Sequence, residues 1–285
     1  MEKFLIDDQL VDHTTYRTRI IEKYCKIKNQ TFYDIGAGEA FESIAIAHRG
    51  ARQVTAIEGK KHFYELAKKA IKKKKFSNCK LKKFDAREVN KLEPVDNVIC
   101  FAFLYHLSNP FNFLKRVRKI CKKKLLMETH VAPLNSLNLI PKHKDAFMTT
   151  GGIQNIFLDG IPFQGRYRHH FGNPSITKGS LDEGWTFWLT PDSLIKALLF
   201  SGFEIERYFH EIDQTTPNVV KLYGKKLGFG FSNTKVFIIA KPTGKIMNYN
   251  NQSISMSDKY LKKPSIPRPN LLDKILFRIS PSKFF

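Results

Sequence analysis

Between Thr31 and Phe41 a short β-prone run ends in an acid, turns on two glycines and enters a segment of helical periodicity: Thr31-Phe32-Tyr33-Asp34-Ile35-Gly36-Ala37-Gly38-Glu39-Ala40-Phe41. A turn of this composition lets bare backbone N–H groups approach a ligand at a helix N-terminus, where the partial positive charge favours an anionic group. Further along, Gln53-Val54-Thr55-Ala56-Ile57-Glu58 reads as a second strand ending in another acid. An acid in that place accepts hydrogen bonds from two ribose hydroxyls. The pair implies a nucleoside cofactor. The dinucleotide fingerprint G-x-G-x-x-G needs a third glycine for close helix approach, and this chain has Phe41 there, which argues against a pyrophosphate.

The rest of the chain repeats the strand-helix alternation. Helical segments are expected over about 60–74, 86–92 and 110–120, and strands over about 80–84, 95–104 and 124–130. The run from Val95 to Leu104 is mostly apolar, as for a central strand buried on both faces. Asn109-Pro110 and Thr190-Pro191 each place a capping side chain before a proline at the first helical position. After Thr190 come a helix to about Gly202, a sixth strand over about 203–209 and a last one over about 235–240. The fold class is therefore α/β, a doubly wound, mostly parallel sheet. Residues 1–30 form an N-terminal helical segment, 31–241 the main domain, and 242–285 a basic C-terminal tail. Within the domain, 131–188 breaks the rhythm with glycines, prolines and a basic-aromatic cluster, and long irregular stretches of this kind serve as lids or insertions.

The 48 Lys and Arg outnumber the 26 Asp and Glu, giving +22. A surplus of that size favours polyanionic partners, nucleic acid among them, although lysines gathered at helix C-termini produce the same count. The four cysteines show neither C-x-x-C spacing nor a metal-ligand pattern, so free thiols and no metal site are expected. No apolar stretch reaches the roughly 18 residues needed to span a bilayer, and the acidic start is unlike a signal peptide. A cytoplasmic location follows. In the tail, Leu271, Leu272, Ile275, Leu276 and Ile279 recur at helical spacing beside basic residues, a pattern for packing on the domain or for peripheral contact with a membrane.

The segment Phe103-Leu104-Tyr105-His106-Leu107-Ser108-Asn109-Pro110 follows the fourth strand, where open α/β sheets place their ligands. Tyr105 and His106 present a phenol and an imidazole, and histidine has the pKa suited to general-base work near neutrality.

Asp34 two residues before Gly36, then Gly38, resembles motif I of class I S-adenosylmethionine-dependent methyltransferases, with Ala40 where the family usually carries a third glycine. Leu104-Tyr105-His106-Leu107 with Asn109-Pro110, Leu126-Met127-Glu128-Thr129-His130-Val131, and Trp185 through Phe203 resemble segments of the family named after tRNA 5-methoxyuridine and 5-carboxymethoxyuridine wobble-modifying methyltransferases. The resemblance covers about Phe32 to Tyr208. It implies a seven-stranded Rossmann-like sheet and S-adenosyl-L-methionine as cofactor. Asp34, Gly36 and Gly38 would surround its methionine part, Glu58 the ribose and Asp85 the adenine, with Phe101 also in contact. Tyr105 and His106 would face the reactive end as catalytic residues, and Arg166, Arg168 and Trp188 the substrate. The wobble enzymes have a longer N-terminal region that helps hold a carboxylated cofactor. This chain has only about thirty residues before its first strand, as in relatives that resemble general methyltransferases of glycan or secondary metabolism. The expected function is O-methylation of a small-molecule or glycan-type acceptor, with tRNA modification, or a non-catalytic cofactor-binding module, as alternatives.

Overall fold

The computed structural model describes residues 16–132, 152–169, 185–210 and 235–244. The C-terminal tail with its leucine-isoleucine pattern lies outside the described residues, as do the first fifteen residues and the side chains of Arg168 and Trp185.

The apolar run after Val95 becomes strand β4 (Val95–Phe101), and its side chains explain the layering. Val98 and Cys100 point into one apolar layer, Ile99 and Phe101 into the other. Strands β1 (Thr31–Ile35), β2 (Gln53–Glu58), β3 (Cys79–Lys83) and β5 (Cys121–His130) run parallel with it, and β9 (Phe203–His210) and β10 (Lys235–Pro242) complete a seven-stranded sheet. The order is β3-β2-β1-β4-β5-β10-β9, with β10 antiparallel to both of its neighbours. Helices α1 (Tyr16–Tyr24), α2 (Phe41–His48) and α3 (Lys61–Lys74) cover one face. Helices α4 (Pro110–Ile120) and α5 (Pro191–Phe200) cover the other. This is the doubly wound sheet expected from the alternation, closed by a hairpin at one edge.

Local chemistry sets the element ends. Asn109 accepts a hydrogen bond from the Asn112 amide at 2.9 Å and Pro110 opens α4. Thr190 does the same for Ser193, with Pro191 opening α5. At the other edge β3 alternates lysine outward, which keeps an unpaired sheet edge from pairing with another chain. The expected helix at 86–92 is instead a 3₁₀ stretch, Ala86–Lys91, broken by a kink at Glu88, and Asp85 caps its start by accepting from the Arg87 amide and guanidinium.

The interval 131–188 also differs from an irregular stretch. Its described part is a second sheet, ordered β6-β7-β8, formed by β6 (Gln154–Leu158), β7 (Ile161–His169) and β8 (Trp185–Leu189). Asp159 and Gly160, both at positive φ (51° and 76°), close the β6-β7 hairpin as a two-residue turn. The small sheet is fastened to the main one by backbone. The Phe187 amide donates to the Leu107 carbonyl (3.0 Å) and the Ala132 amide to the Leu189 carbonyl (2.8 Å).

Candidate active site

Parallel strands deliver their following loops to one edge, and the strand order reverses between β1 and β4, the place where such sheets bind ligands. In the loop after β1, Gly36 and Gly38 take positive φ (71° and 56°), a region that side chains with a Cβ avoid. A Cβ on Gly36 would lie 2.6 Å from Cδ2 of Phe103, in the loop after β4. The turn is thus pressed against its neighbour. A Cβ on Gly38 would meet nothing within 4 Å, so this side of the turn is open.

Glu58 ties the first two loops together. Its Oε2 accepts from the Gly38 amide (2.9 Å) and its Oε1 from the Lys60 amide (2.8 Å). Each oxygen keeps a second lone pair for a further donor. Burial pushes this carboxyl above its ordinary pKa, against the pull of those amides. Asp34 sits underneath, buried, accepting from the Ser43 hydroxyl at 2.7 Å. Burial first, then the neighbouring Glu42 carboxylate, push its pKa up to about 7. Asp34 therefore anchors α2 to β1 from below the turn.

Asp85, after β3, is engaged by Arg87 through the backbone amide (2.8 Å) and guanidinium contacts of 2.6 to 3.0 Å. These bonds hold its carboxyl below the usual range. Phe101 is buried beneath the Arg17 guanidinium, 5.6 Å from its ring centroid, and edge-on to Phe237. Arg17, from α1, forks onto the fully buried Glu128 of β5 (2.6 and 2.8 Å) and lies 3.7 Å from Glu42; Lys235 approaches Glu128 to 3.5 Å.

Beside these loops lies a cluster of rings. The short 3₁₀ turn Leu104–His106 sets Tyr105 against His106, with ring centroids 4.2 Å apart. Tyr105 meets His130 edge-on (4.7 Å) and Trp188 edge-on (5.4 Å), while His130 and Trp188 stack at 5.0 Å. Tyr105, His106 and Trp188 are thereby brought together, and His130 joins them although sequence reasoning passed over it as the end of a strand. Arg166 stands opposite Trp188 in the β7-β8 ladder. Among the described residues no group of three His, Cys, Asp or Glu has metal-binding geometry, and the four cysteines are buried free thiols. No helix among the described residues is long and apolar enough to cross a membrane.

Residues 26–151 match the family model described as a methyltransferase domain. The matched stretch spans less than half of the chain.

The seven-stranded sheet, with the antiparallel β10 slotted between β5 and β9, is the Rossmann-like methyltransferase fold, and solved structures share it. The N-terminal domain of EvdMO1, crystallised with S-adenosylhomocysteine bound, aligns with a TM-score of 0.56 at 17% identity, covering 85% of this chain and 84% of that one. The same domain was also crystallised in the presence of S-adenosylhomocysteine and D-fucose, again with a TM-score of 0.56 at 17% identity, covering 84% of each chain. An S-adenosylmethionine-dependent methyltransferase from Mesorhizobium loti aligns with a TM-score of 0.55 at 13% identity, covering 81% of this chain and 99% of that one. A comparison with curated protein sequences finds no match. The matching model is that of a general methyltransferase domain, and nothing in these comparisons singles out the tRNA-modifying family.

The charged group around Glu128 and the stacking of His130 on Trp188 were missed in the sequence. An acid inside the apolar run Leu125–Thr129 was the available signal for the first, because a buried carboxylate requires a cation from elsewhere in the fold.

Proposed function

We propose that this chain transfers the methyl group of S-adenosylmethionine to a hydroxyl oxygen of a small-molecule acceptor, sugars included. The observation that carries this reading is the adjacency of two half-sites at one sheet edge. The open glycine turn with Glu58 adjoins, through Phe103, the Tyr105-His106-His130-Trp188 cluster. The residues present suit the cofactor: a turn open at Gly38, and a carboxylate with lone pairs left for two ribose hydroxyls. Asp85, steadied by Arg87, would accept from the adenine amino group, and Phe101 and Arg17 would flank the methionine end. When bound, the cofactor supplies an electrophilic methyl group on a sulfonium.

The protein's own part is positioning and proton handling. Trp188 and Tyr105 would wall the acceptor. His106 takes the hydroxyl proton as the oxygen attacks, and its ring contact with Tyr105 fixes its orientation. The D-fucose present in crystals of a protein with the same fold supports a sugar-sized acceptor.

Isothermal titration of the pure chain with S-adenosylhomocysteine tests the cofactor half, and absence of binding refutes it. Labelled methyl transfer into metabolite extracts identifies the acceptor. His106→Gln should then lower kcat by roughly 100-fold or more with little change in KM and flatten the pH profile, since a general base contributes on that scale. An unchanged turnover removes His106 from the reaction.

A second reading, transfer to a tRNA wobble uridine, is favoured by the exposed lysines of α3 and β3, among them Lys68, Lys69, Lys72, Lys80 and Lys82. Co-purified tRNA, and binding that weakens steeply with salt, separate it from the small-molecule reading.

A further inference from the structure

Arg166 is a buried cation that the fold does not use. It is 7% exposed, and neither a hydrogen bond nor an ion pair holds its guanidinium among the described residues. Its Nε is fully enclosed. Guanidinium stays charged at every physiological pH, and a charge removed from water without a partner is strongly unfavourable. Even arginines that keep partial contact with solvent are paired in this fold: Arg17 forks onto Glu128 and Arg87 onto Asp85.

The strand register says which way Arg166 faces. Tyr167 and Phe187 are ladder partners whose rings meet at 4.9 Å on one face of the small sheet. Arg166 and Trp188, the next pair, stand on the opposite face. That face is the one whose Trp188 touches Tyr105 and His130. A buried donor fork therefore lies on the same wall as the ring cluster.

We propose that Arg166 is the recognition residue for an anionic group on the acceptor, a carboxylate or a phosphate, carried by the same molecule whose hydroxyl is methylated. The planar fork pairs two oxygens at once, which orients the acceptor against Trp188 as well as holding it. This rests on the methyl-transfer reading and narrows it to acidic acceptors.

The test uses the full chain loaded with S-adenosylhomocysteine, titrated by calorimetry and thermal unfolding with benzoate, inorganic phosphate and the neutral benzamide. Benzoate or phosphate should bind with a stoichiometry of one and raise Tm with concentration, and benzamide should not. Which anion prevails distinguishes a carboxylate acceptor from a phosphorylated one. Arg166→Met should weaken that binding by roughly 10- to 100-fold, the worth of a charged hydrogen-bonded contact, and Arg166→Lys should restore part of it. Without ligand, Arg166→Met should melt no lower than the wild type, because the unpaired charge is gone. Equal binding of benzamide, anion binding that survives in Arg166→Met, a lowered Tm of that variant, or no effect of either anion up to tens of millimolar overturns the proposal. Failure to bind S-adenosylhomocysteine in the loading step refutes the methyl-transfer reading itself, whereas loading without an anion effect refutes only the role of Arg166.

Discussion

Replacing Gly36 by alanine should damage the protein through two separable effects. The first is conformational: at φ of 71° an alanine occupies left-handed backbone, at a cost of about 1–2 kcal/mol. The second is steric. The new methyl would lie 2.6, 3.2 and 3.3 Å from Cδ2, Cγ and Cβ of Phe103, whose ring is itself backed by Phe113 at 5.2 Å. Moving a backed aromatic ring resembles overpacking, about 1–3 kcal/mol. Together the two predict a loss of roughly 2–5 kcal/mol in urea unfolding, with weaker S-adenosylhomocysteine binding because the shifted loop carries the turn. Adding Phe103→Ala should make the Gly36→Ala step cheaper by about 1 kcal/mol or more, measured as the coupling in a double-mutant cycle. Gly38→Ala provides the contrast. Its φ of 56° carries the backbone cost alone, since no atom lies within 4 Å of the added methyl. A Gly36→Ala variant within 0.5 kcal/mol of wild type, or a cycle with no coupling to Phe103, would refute the reasoning.

Two further outcomes follow from buried charge. Arg17→Met takes from the fully buried Glu128 its two-pronged guanidinium partner, and should destabilise by about 3 kcal/mol. Most of this should return in Arg17→Met with Glu128→Gln, and a single-variant loss under about 1 kcal/mol contradicts the pairing. Asp34, its pKa raised to about 7 in the folded state, holds its proton more tightly there than in the unfolded chain. Its contribution is therefore complete below about pH 4 and fades as pH climbs through 7. Asp34→Asn should remove that slope, narrowing the gap between variant and wild type by up to roughly 3–4 kcal/mol across this range, and parallel pH curves for the two proteins refute it.

Features legible in the sequence were those written in neighbouring residues. Asn109-Pro110 and Thr190-Pro191 each encode a helix start within four positions, and the Val95–Phe101 run encodes a strand buried on both faces. The glycine turn and Glu58 belong to the same class, since a βαβ unit spaces them. Asp159-Gly160 was equally local, but it sat inside a stretch read as irregular, so its hairpin signal went unused. Arg17 and Glu128 are 111 positions apart, and only the folding of α1 over the sheet joins them. The stack of His130 on Trp188 likewise depends on where a second sheet docks. Asp85 shows a third limit: its place after β3 was readable, but not its capture by Arg87 two residues on.

The docking of that second sheet has a consequence for how such a protein can change. The two stitches that join β8 to the loops after β4 and β5 run from backbone amide to backbone carbonyl, and neither depends on a side chain. Any sequence that keeps β8 extended retains them. Thr186 to Leu189 are all buried, so exchanges there must respect volume, but the join itself asks nothing of their chemistry. On the proposed reading, acceptor preference can drift over generations, one side chain at a time, while the sheet edge below stays in register.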